Sequence, residues 1–470
     1  MSATTTFKAA ACGLLLGLAS CGAGGPAPAP PGEAPAARAA SGPGVPPPSP
    51  SPAAADAVRA AARPLAGTDA DYPDVMAAAR ESTRILLGES THGTHEYYIE
   101  RARLSERLIR EHGIVAIAIE GDWTPTYRVN LYVRGLGSDR SADQALSGFE
   151  RFPEWMWPNA EFRDFVERLR TWNMARPAAE RVGVYGMDVY DMFEAADAVL
   201  AWLRETDPAA AREAERHYRC LRPYGRDTGR YGQATLGGRV SCEDEAEAAN
   251  ALVGRIPRPA EPLAAERHFA ARRAAASVVN AEAYFRTAYG GSLAWNVRDE
   301  AMARNVEEIA AHLTALGGRP AKVVMWSHNT HSGDARATFA ANRGELNLGQ
   351  LMRQRHGDRA FLVGFFSHGG TVFAAPEWDE RGRVYDMRPA LPESWSALFH
   401  ETGLPAFSLL LRGNPNVGSA LAAPRLERAI GVVYSPSTER QSHYFEADLL
   451  RQFDAAIYFD RTKAVTPLRR

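Results

Sequence analysis

Short, almost wholly apolar runs alternate along this chain with longer stretches of helical periodicity, and that alternation constrains its fold more than any other feature. Ile85–Glu89 reads as a strand, Glu96–Glu111 as an amphipathic helix and Ile114–Glu120 as a second strand of mostly branched apolar residues. Strands without an in-out alternation are buried on both faces, which calls for a parallel sheet covered by helices. Val182–Met187, Lys322–Ser327, Arg359–Ser367, Ala429–Tyr434 and Ala455–Phe459 read as further strands. Between about Glu194 and Leu316 the composition turns to Ala, Glu and Arg at helical spacing, interrupted by a loop over Tyr218–Val240. The expected fold class is α/β: a mainly parallel sheet flanked by helices, with an additional helical subdomain inserted at about 194–316.

Two of the runs share a layout. Arg84-Ile-Leu-Leu-Gly-Glu89-Ser-Thr-His92 and Val323-Val-Met-Trp-Ser-His328-Asn-Thr-His331 each lead an apolar strand straight into ionisable side chains. Chemistry in open α/β sheets sits at the carboxyl ends of the strands, so the two stretches are expected to face one cleft. Glu120 ends the next strand after Glu89, and neighbouring strands would bring Glu89, His92 and Glu120 within reach of one another. A carboxylate beside an imidazole fixes its tautomer and raises its basicity, the arrangement needed to take a proton from water. His92 is therefore the candidate base, with Glu89 or Glu120 its partner.

His331 adds a second imidazole to the later strand end, with Asp334 and Arg336 on the same loop. His368 follows the Phe361–Phe366 strand in the same way, although Gly369-Gly370 behind it also suits a glycine loop. His95, His112, His217, His268, His312, His356 and His400 stand in helical or loop contexts without evident partners and read as ordinary.

The N-terminus sets the compartment. Lys8 precedes an apolar run, Ala9–Ala19, too short to span a bilayer and ending in Leu18-Ala-Ser-Cys21. This pattern is that of a bacterial lipoprotein signal over 1–21 with Cys21 lipidated; an ordinary secretory signal is the alternative. Eleven prolines lie between Pro26 and Pro52 among Ala, Gly and Ser, a composition that cannot bury a core, so 22–54 reads as a tether. Residues 55–470 form the folded domain. Localisation in the bacterial cell envelope follows, lipid-anchored and facing the periplasm or exterior. With a formal charge of −2 and a pI near 6.7 there is no basic footprint for nucleic acid. Cys220 and Cys242 remain after processing, and in an oxidising envelope they either pair or stay as two thiols.

Other chemistries fit less well. Gly290-Gly-Ser292-Leu-Ala294 does not follow an apolar strand and lacks the geometry of a nucleophile elbow, and Gly135-Leu-Gly137 lacks the third glycine of a dinucleotide loop. No cofactor is expected. Zinc on His92, His328, His331 and a glutamate is the serious rival, weakened because these histidines stand on loops rather than at i, i+4 of a helix.

At these same residues a resemblance emerges. Gly88-Glu89-Ser-Thr-His92-Gly-Thr-His-Glu96, Ile119-Glu120-Gly-Asp122-Trp123 with Tyr127-Arg128-Val-Asn130, and Trp295-Asn296-Val-Arg298-Asp299-Glu-Ala-Met302 resemble the erythromycin esterase family. So do Ser327-His328-Asn329-Thr-His331 with Gly333-Asp334-Ala-Arg336-Ala-Thr338, Gly364-Phe365-Phe366-Ser-His368-Gly-Gly-Thr371-Val, and Gln452-Phe453-Asp454-Ala with Ala464-Val-Thr-Pro467-Leu. The resemblance implies an α/β core with helical additions and hydrolysis of an ester, in the best-known members a macrolide lactone, by water activated through His92. It carries Glu89, Glu120 and His328 into the catalytic set, with His328 expected to stabilise or protonate the developing oxygen charge. His331, Arg128, Asp334, Arg336 and His368, from the same blocks, are expected around a small ester or lactone substrate. A lipoprotein signal with a tether departs from the cytoplasmic resistance enzymes of that family. It leaves open an ester of another kind, such as an acylated polysaccharide, or a ligand-binding lipoprotein that keeps the cleft without catalysis.

Overall fold

A computed structural model describes residues 51–288 and 293–468. Cys21, the expected lipidation site, and nearly all of the expected tether lie outside the described residues. The folded part opens with a helix, Pro52–Ala61, whose start is set by the Ser51 side chain accepting the Ala54 N–H at 3.2 Å and by proline in the first turn.

The strands are β1 (Arg63–Pro64), β2 (Arg84–Leu87), β3 (Ala116–Ile119), β4 (Gly183–Gly186), β5 (Val323–Trp326), β6 (Ala360–Ala374), β7 (Arg383–Met387), β8 (Ala406–Leu410), β9 (Arg425–Arg428), β10 (Tyr444–Ala447) and β11 (Ala455–Thr462). Nine form one sheet in the order β1-β8-β11-β6-β2-β5-β3-β4, with β7 paired to β6. Every pair from β4 across to β11 is parallel, whereas β8, β1 and β7 join antiparallel. β2, β3, β4 and β5 are buried along their whole length, as all-apolar strands covered on both faces must be. The fold is thus mixed α/β with a mostly parallel sheet flanked by helices.

Several elements differ from the sequence expectations. β5 lies between β2 and β3, so these two are not neighbours and His328 stands between Glu89 and Glu120 in strand order. Ala429–Tyr434 is not a strand. The strand is the preceding β9, and the apolar segment instead crosses the sheet's end, where Ile430 N–H donates to the Ser90 carbonyl at 2.9 Å and its own carbonyl accepts His92 N–H at 3.2 Å. It is apolar because it is buried against the turn that carries His92. β6 runs on through Gly369-Gly370 to Ala374 because β7 pairs with its extension; Gly370, at φ +118°, packs against the Thr462 backbone, where a side chain has no room. The Tyr218–Val240 segment is not a plain loop either. It holds a 3-10 helix, Tyr218–Tyr224, and a helix, Thr228–Thr235, and a disulfide joins Cys220 to Cys242.

Helices from Met192–Thr206 through Leu293–Gly317 make up the helical material expected after β4. The long helices Pro262–Thr287 and Leu293–Gly317 pack together, and the former also lies on Met192–Thr206. The second long helix matters most for function, because it brings Arg298 and Asp299 over the sheet's carboxyl edge.

Candidate active site

β2, β5, β3 and β4 are adjacent, and each ends in ionisable residues: Glu89 and His92, His328 and His331, Glu120 and Asp122, Asp188 and Asp191. All of these side chains are buried. Buried charge persists only when paired, and here the pairs define the site's architecture.

His92 Nδ1 lies 2.9 Å from Glu89 Oε1, and Glu89 Oε2 lies 2.8 Å from Arg101 Nη2 on the helix His95–His112. The carboxylate thus accepts the Nδ1–H of His92 and leaves Nε2 as the basic atom. The His328 ring centroid is 4.8 Å from that of His92. His328 also caps the short helix Asn329–Ser332, its Nδ1 accepting the Thr330 N–H at 3.3 Å. With Nδ1 an acceptor, Nε2 carries the hydrogen in the neutral ring. Burial first, and then neighbouring His92, push the His328 pKa well below the ordinary imidazole value; Glu120 and the Ser90 carbonyl do not offset this. His328 is therefore a neutral donor at neutral pH.

Glu120 organises the other half. Its Oε2 accepts the His328 backbone N–H at 2.7 Å, and its Oε1 accepts Arg298 Nη2 at 2.8 Å and lies 3.4 Å from His331 Nε2. Burial works against its charge, but His331, Arg298 and His92 together hold the carboxyl well below the usual range. Arg298 also donates to Asp188 Oδ1 and Oδ2, each at 2.8 Å. His331 Nδ1 lies 2.9 Å from Asp299, while its ring stacks on Trp295 at 4.5 Å. Burial lowers the His331 pKa, yet Asp299 and Glu120 outweigh it and the net shift is upward. Both His331 nitrogens are engaged, which turns them away from a role as metal ligand; among the described residues no group of three or more His, Cys, Asp or Glu side chains is disposed to hold a metal ion.

Beneath the histidines, Asn329 ties the two histidine-bearing turns together. Its N–H donates to the Glu89 carbonyl at 2.7 Å, and its side-chain Nδ2 donates to the Phe365 carbonyl at 3.0 Å and to Glu427 Oε1 at 2.9 Å. Gly88 is a glycine because a side chain there would collide with the Asn329 amide. Burial pushes the Glu427 carboxyl up to about 7. Beside the Arg298 cluster, Asp122 is pushed up to about 7 by burial and by Asp191 and Asp188, against the pull of Arg151.

A scan against protein-family models matches the erythromycin esterase family over residues 109–462 of this chain. The chain belongs to the erythromycin esterase family. Among solved structures, a protein from Bacillus cereus is 18% identical with a TM-score of 0.72, covering 89% of this chain and 98% of its own. A succinoglycan biosynthesis protein is 18% identical with a TM-score of 0.69, covering 88% of this chain and 97% of its own. An erythromycin esterase mutant in its open conformation is 16% identical with a TM-score of 0.58, covering 83% of this chain and 93% of its own. At these identities the likenesses speak to fold, and membership in the family supports an ester hydrolase.

Within this erythromycin esterase fold, Glu89, His92, Glu120, His328 and His331 come together; the other expected residues engage partners outside that cluster. Arg128 turns to Asp139, with hydrogen bonds of 2.8 and 2.7 Å, and to Ser147. Asp334 and Arg336 pair with each other at 2.9 Å. His368 stacks on His400 at 3.8 Å and lines a separate cavity of about 490 Å³ with Asp56, Arg59 and Glu401. The histidines taken as unpartnered include His95, His312, His356 and His400, which pair with Glu161, Glu266, Glu307 and Asp460. Sequence reading passed over Arg101, Arg298 and Asp188. Asp188 carried a usable signal, since it follows an apolar strand just as Glu120 does. Arg298 stood in the block Trp295–Met302 that resembles the family, without a role assigned to it, and Arg101 carried no signal, standing inside a helix with nothing to mark its inward turn.

Proposed function

We propose that this chain hydrolyses a carboxylic ester or lactone, with His92 taking a proton from the attacking water. The observation that carries this reading is the line Arg101–Glu89–His92 ending beside the neutral donor His328. Glu89 holds the His92 ring through Nδ1, which leaves Nε2 to take the proton, and Arg101 holds Glu89 in place. As the proton passes to Nε2, hydroxide adds to the carbonyl carbon and the carbonyl electron pair moves onto oxygen. His328 Nε2–H donates to that oxygen, charge stabilisation of the kind that commonly supplies the largest part of catalysis. Collapse then breaks the bond to the alkoxide, which takes the proton back from His92. Glu120 fixes the His328 backbone, and Arg298 keeps Glu120 charged. No step requires a metal.

The substrate class favoured by the family is a macrolide-type ester. A structurally similar protein bears a name from succinoglycan biosynthesis, which supports acyl esters of polysaccharides as a second class. The Cys21 signal and the tether support action at the envelope surface. The deciding experiment incubates the purified chain with macrolides, simple acyl esters and acylated polysaccharide, with and without chelator, and follows masses. Gain of one water by a substrate, insensitive to chelation, is expected. No hydrolysis of any class sinks the reading, and loss on chelation restored by zinc sinks the unaided-water mechanism.

A further inference from the structure

A cavity of about 430 Å³ lies on the helical side of the site, large enough for a drug-sized body. Its apolar surface is aromatic: Phe152, Tyr190, Phe193, Phe285 and Trp378. Tyr190 divides the cavity from the catalytic cluster, since Arg151 lies 4.5 Å and Arg298 5.0 Å from its ring centroid. A ligand in the cavity is thus one ring away from the guanidinium that holds Glu120.

The charges around these rings are uneven. Glu150, Glu194, Asp227 and Asp379 face only Arg151 and Arg226. Both arginines are already neutralised, Arg151 by Asp122 at 3.0 Å and Arg226 by Glu194 at 2.9 Å and by Asp197. Among the described residues Glu150, Asp227 and Asp379 have no ion-pair partner. Asp379 also sits at φ +61°, a left-handed conformation uncommon outside glycine, though less so for aspartate. It follows Trp378, whose ring meets Phe152 edge-on at 4.9 Å. Burial raises the Asp379 pKa, and Asp227 and Glu154 add to the rise against Arg151, so a cation arriving here relieves repulsion among carboxylates.

We propose that this cavity binds a protonated or quaternary amine carried on an apolar body, its charge held by Asp379 and Asp227 and by the faces of Trp378 and Phe152. Aromatic faces attract such cations through the ring quadrupole, and carboxylates at the rim add charge without filling the space. Anionic ligands are repelled by the same groups, and neutral ones gain only apolar contact. That this ligand is part of the substrate rests on the proposed hydrolase reading; that the cavity is cation-selective does not.

The test is therefore a binding experiment that needs no turnover. Benzyltrimethylammonium, benzyl alcohol and benzoate are titrated into the full chain by calorimetry at low and high salt. Saturable binding of the ammonium alone is expected, weakening as salt rises, with Asp379→Asn and Trp378→Leu each reducing affinity about three- to tenfold. Asp227→Asn, which retains the helix-capping oxygen, gives a second variant that keeps the fold. Equal binding of benzyl alcohol, or indifference to both Asn substitutions, overturns the proposal. If the ammonium binds as expected while no ester is hydrolysed, the cavity assignment stands and the hydrolase reading falls.

Discussion

Arg298 Nη2 lies 2.8 Å from Glu120 Oε1, joining residues 178 positions apart. The same guanidinium bridges to Asp188, so one side chain from the helix Leu293–Gly317 ties the helical material to the ends of β3 and β4. Removing one partner of a buried pair leaves uncompensated charge and costs about 3–5 kcal/mol. Arg298→Met is expected to destabilise by about that amount in urea titrations, with Arg298→Lys in between. A loss under about 1 kcal/mol means that this network does not hold the two layers together.

His92→Ala is expected to lower kcat/KM by about a hundred- to ten-thousand-fold, with the melting temperature little changed. His328→Gln keeps a side-chain N–H donor and is expected to lose kcat more than KM. The downward shift of the His328 pKa means that it stays neutral as pH falls through the ordinary imidazole range. Any acid limb in kcat/KM therefore keeps its position in His328→Gln; a displaced limb shows that His328 titrates in the working enzyme.

Glu427 is buried beneath Asn329 with its carboxyl raised to about 7. A raised carboxyl favours the protonated form on folding, so its contribution is fully present below the unfolded value and is lost as pH rises through about 7. The wild type is expected to lose up to ~3 kcal/mol from this group between roughly pH 4.5 and 7. Glu427→Gln flattens that part of the stability profile. Parallel profiles for the two proteins show that Glu427 is not strained by its burial.

The Cys220–Cys242 disulfide encloses Arg226, Asp227, Thr228 and Gly229, which line the aromatic cavity. Closing a loop of this length limits the unfolded chain and contributes roughly 3 kcal/mol. The double replacement Cys220→Ser with Cys242→Ser is expected to lower stability by about that much and to raise KM for any substrate that fills the cavity. An unchanged KM separates the loop from substrate binding.

Cys21→Ser is expected to move the protein from the membrane fraction to the soluble or secreted one. Fractionation identical to wild type removes the lipid anchor from the account.

Much of the site was legible because chemistry at strand ends leaves a local signature. An apolar strand running into Glu89 and His92, or into His328 and His331, is a pattern of consecutive residues, and β2, β3, β4 and β5 each agree with their sequence reading to within a few positions. Ala429–Tyr434 misled for a related reason. It is as apolar as a strand because it is as buried as one, yet its hydrogen bonds are scattered over the Ser90–His92 turn, Ala375 and His443 rather than forming a ladder, and hydrophobicity does not distinguish the two.

Sequence alone determined the α/β class, the two histidine-bearing turns and the candidate base, all properties of neighbouring residues. Only the tertiary structure decided that β5 separates β2 from β3, that Arg101 backs Glu89, and that Arg298 and Asp299 reach the site from a distant helix. It also turned Arg128, Asp334, Arg336 and His368 to partners elsewhere. The physical reason is that strand order and helix docking depend on long-range packing, and a charged side chain inside a helix shows no local sign of whether it faces water or a buried carboxylate.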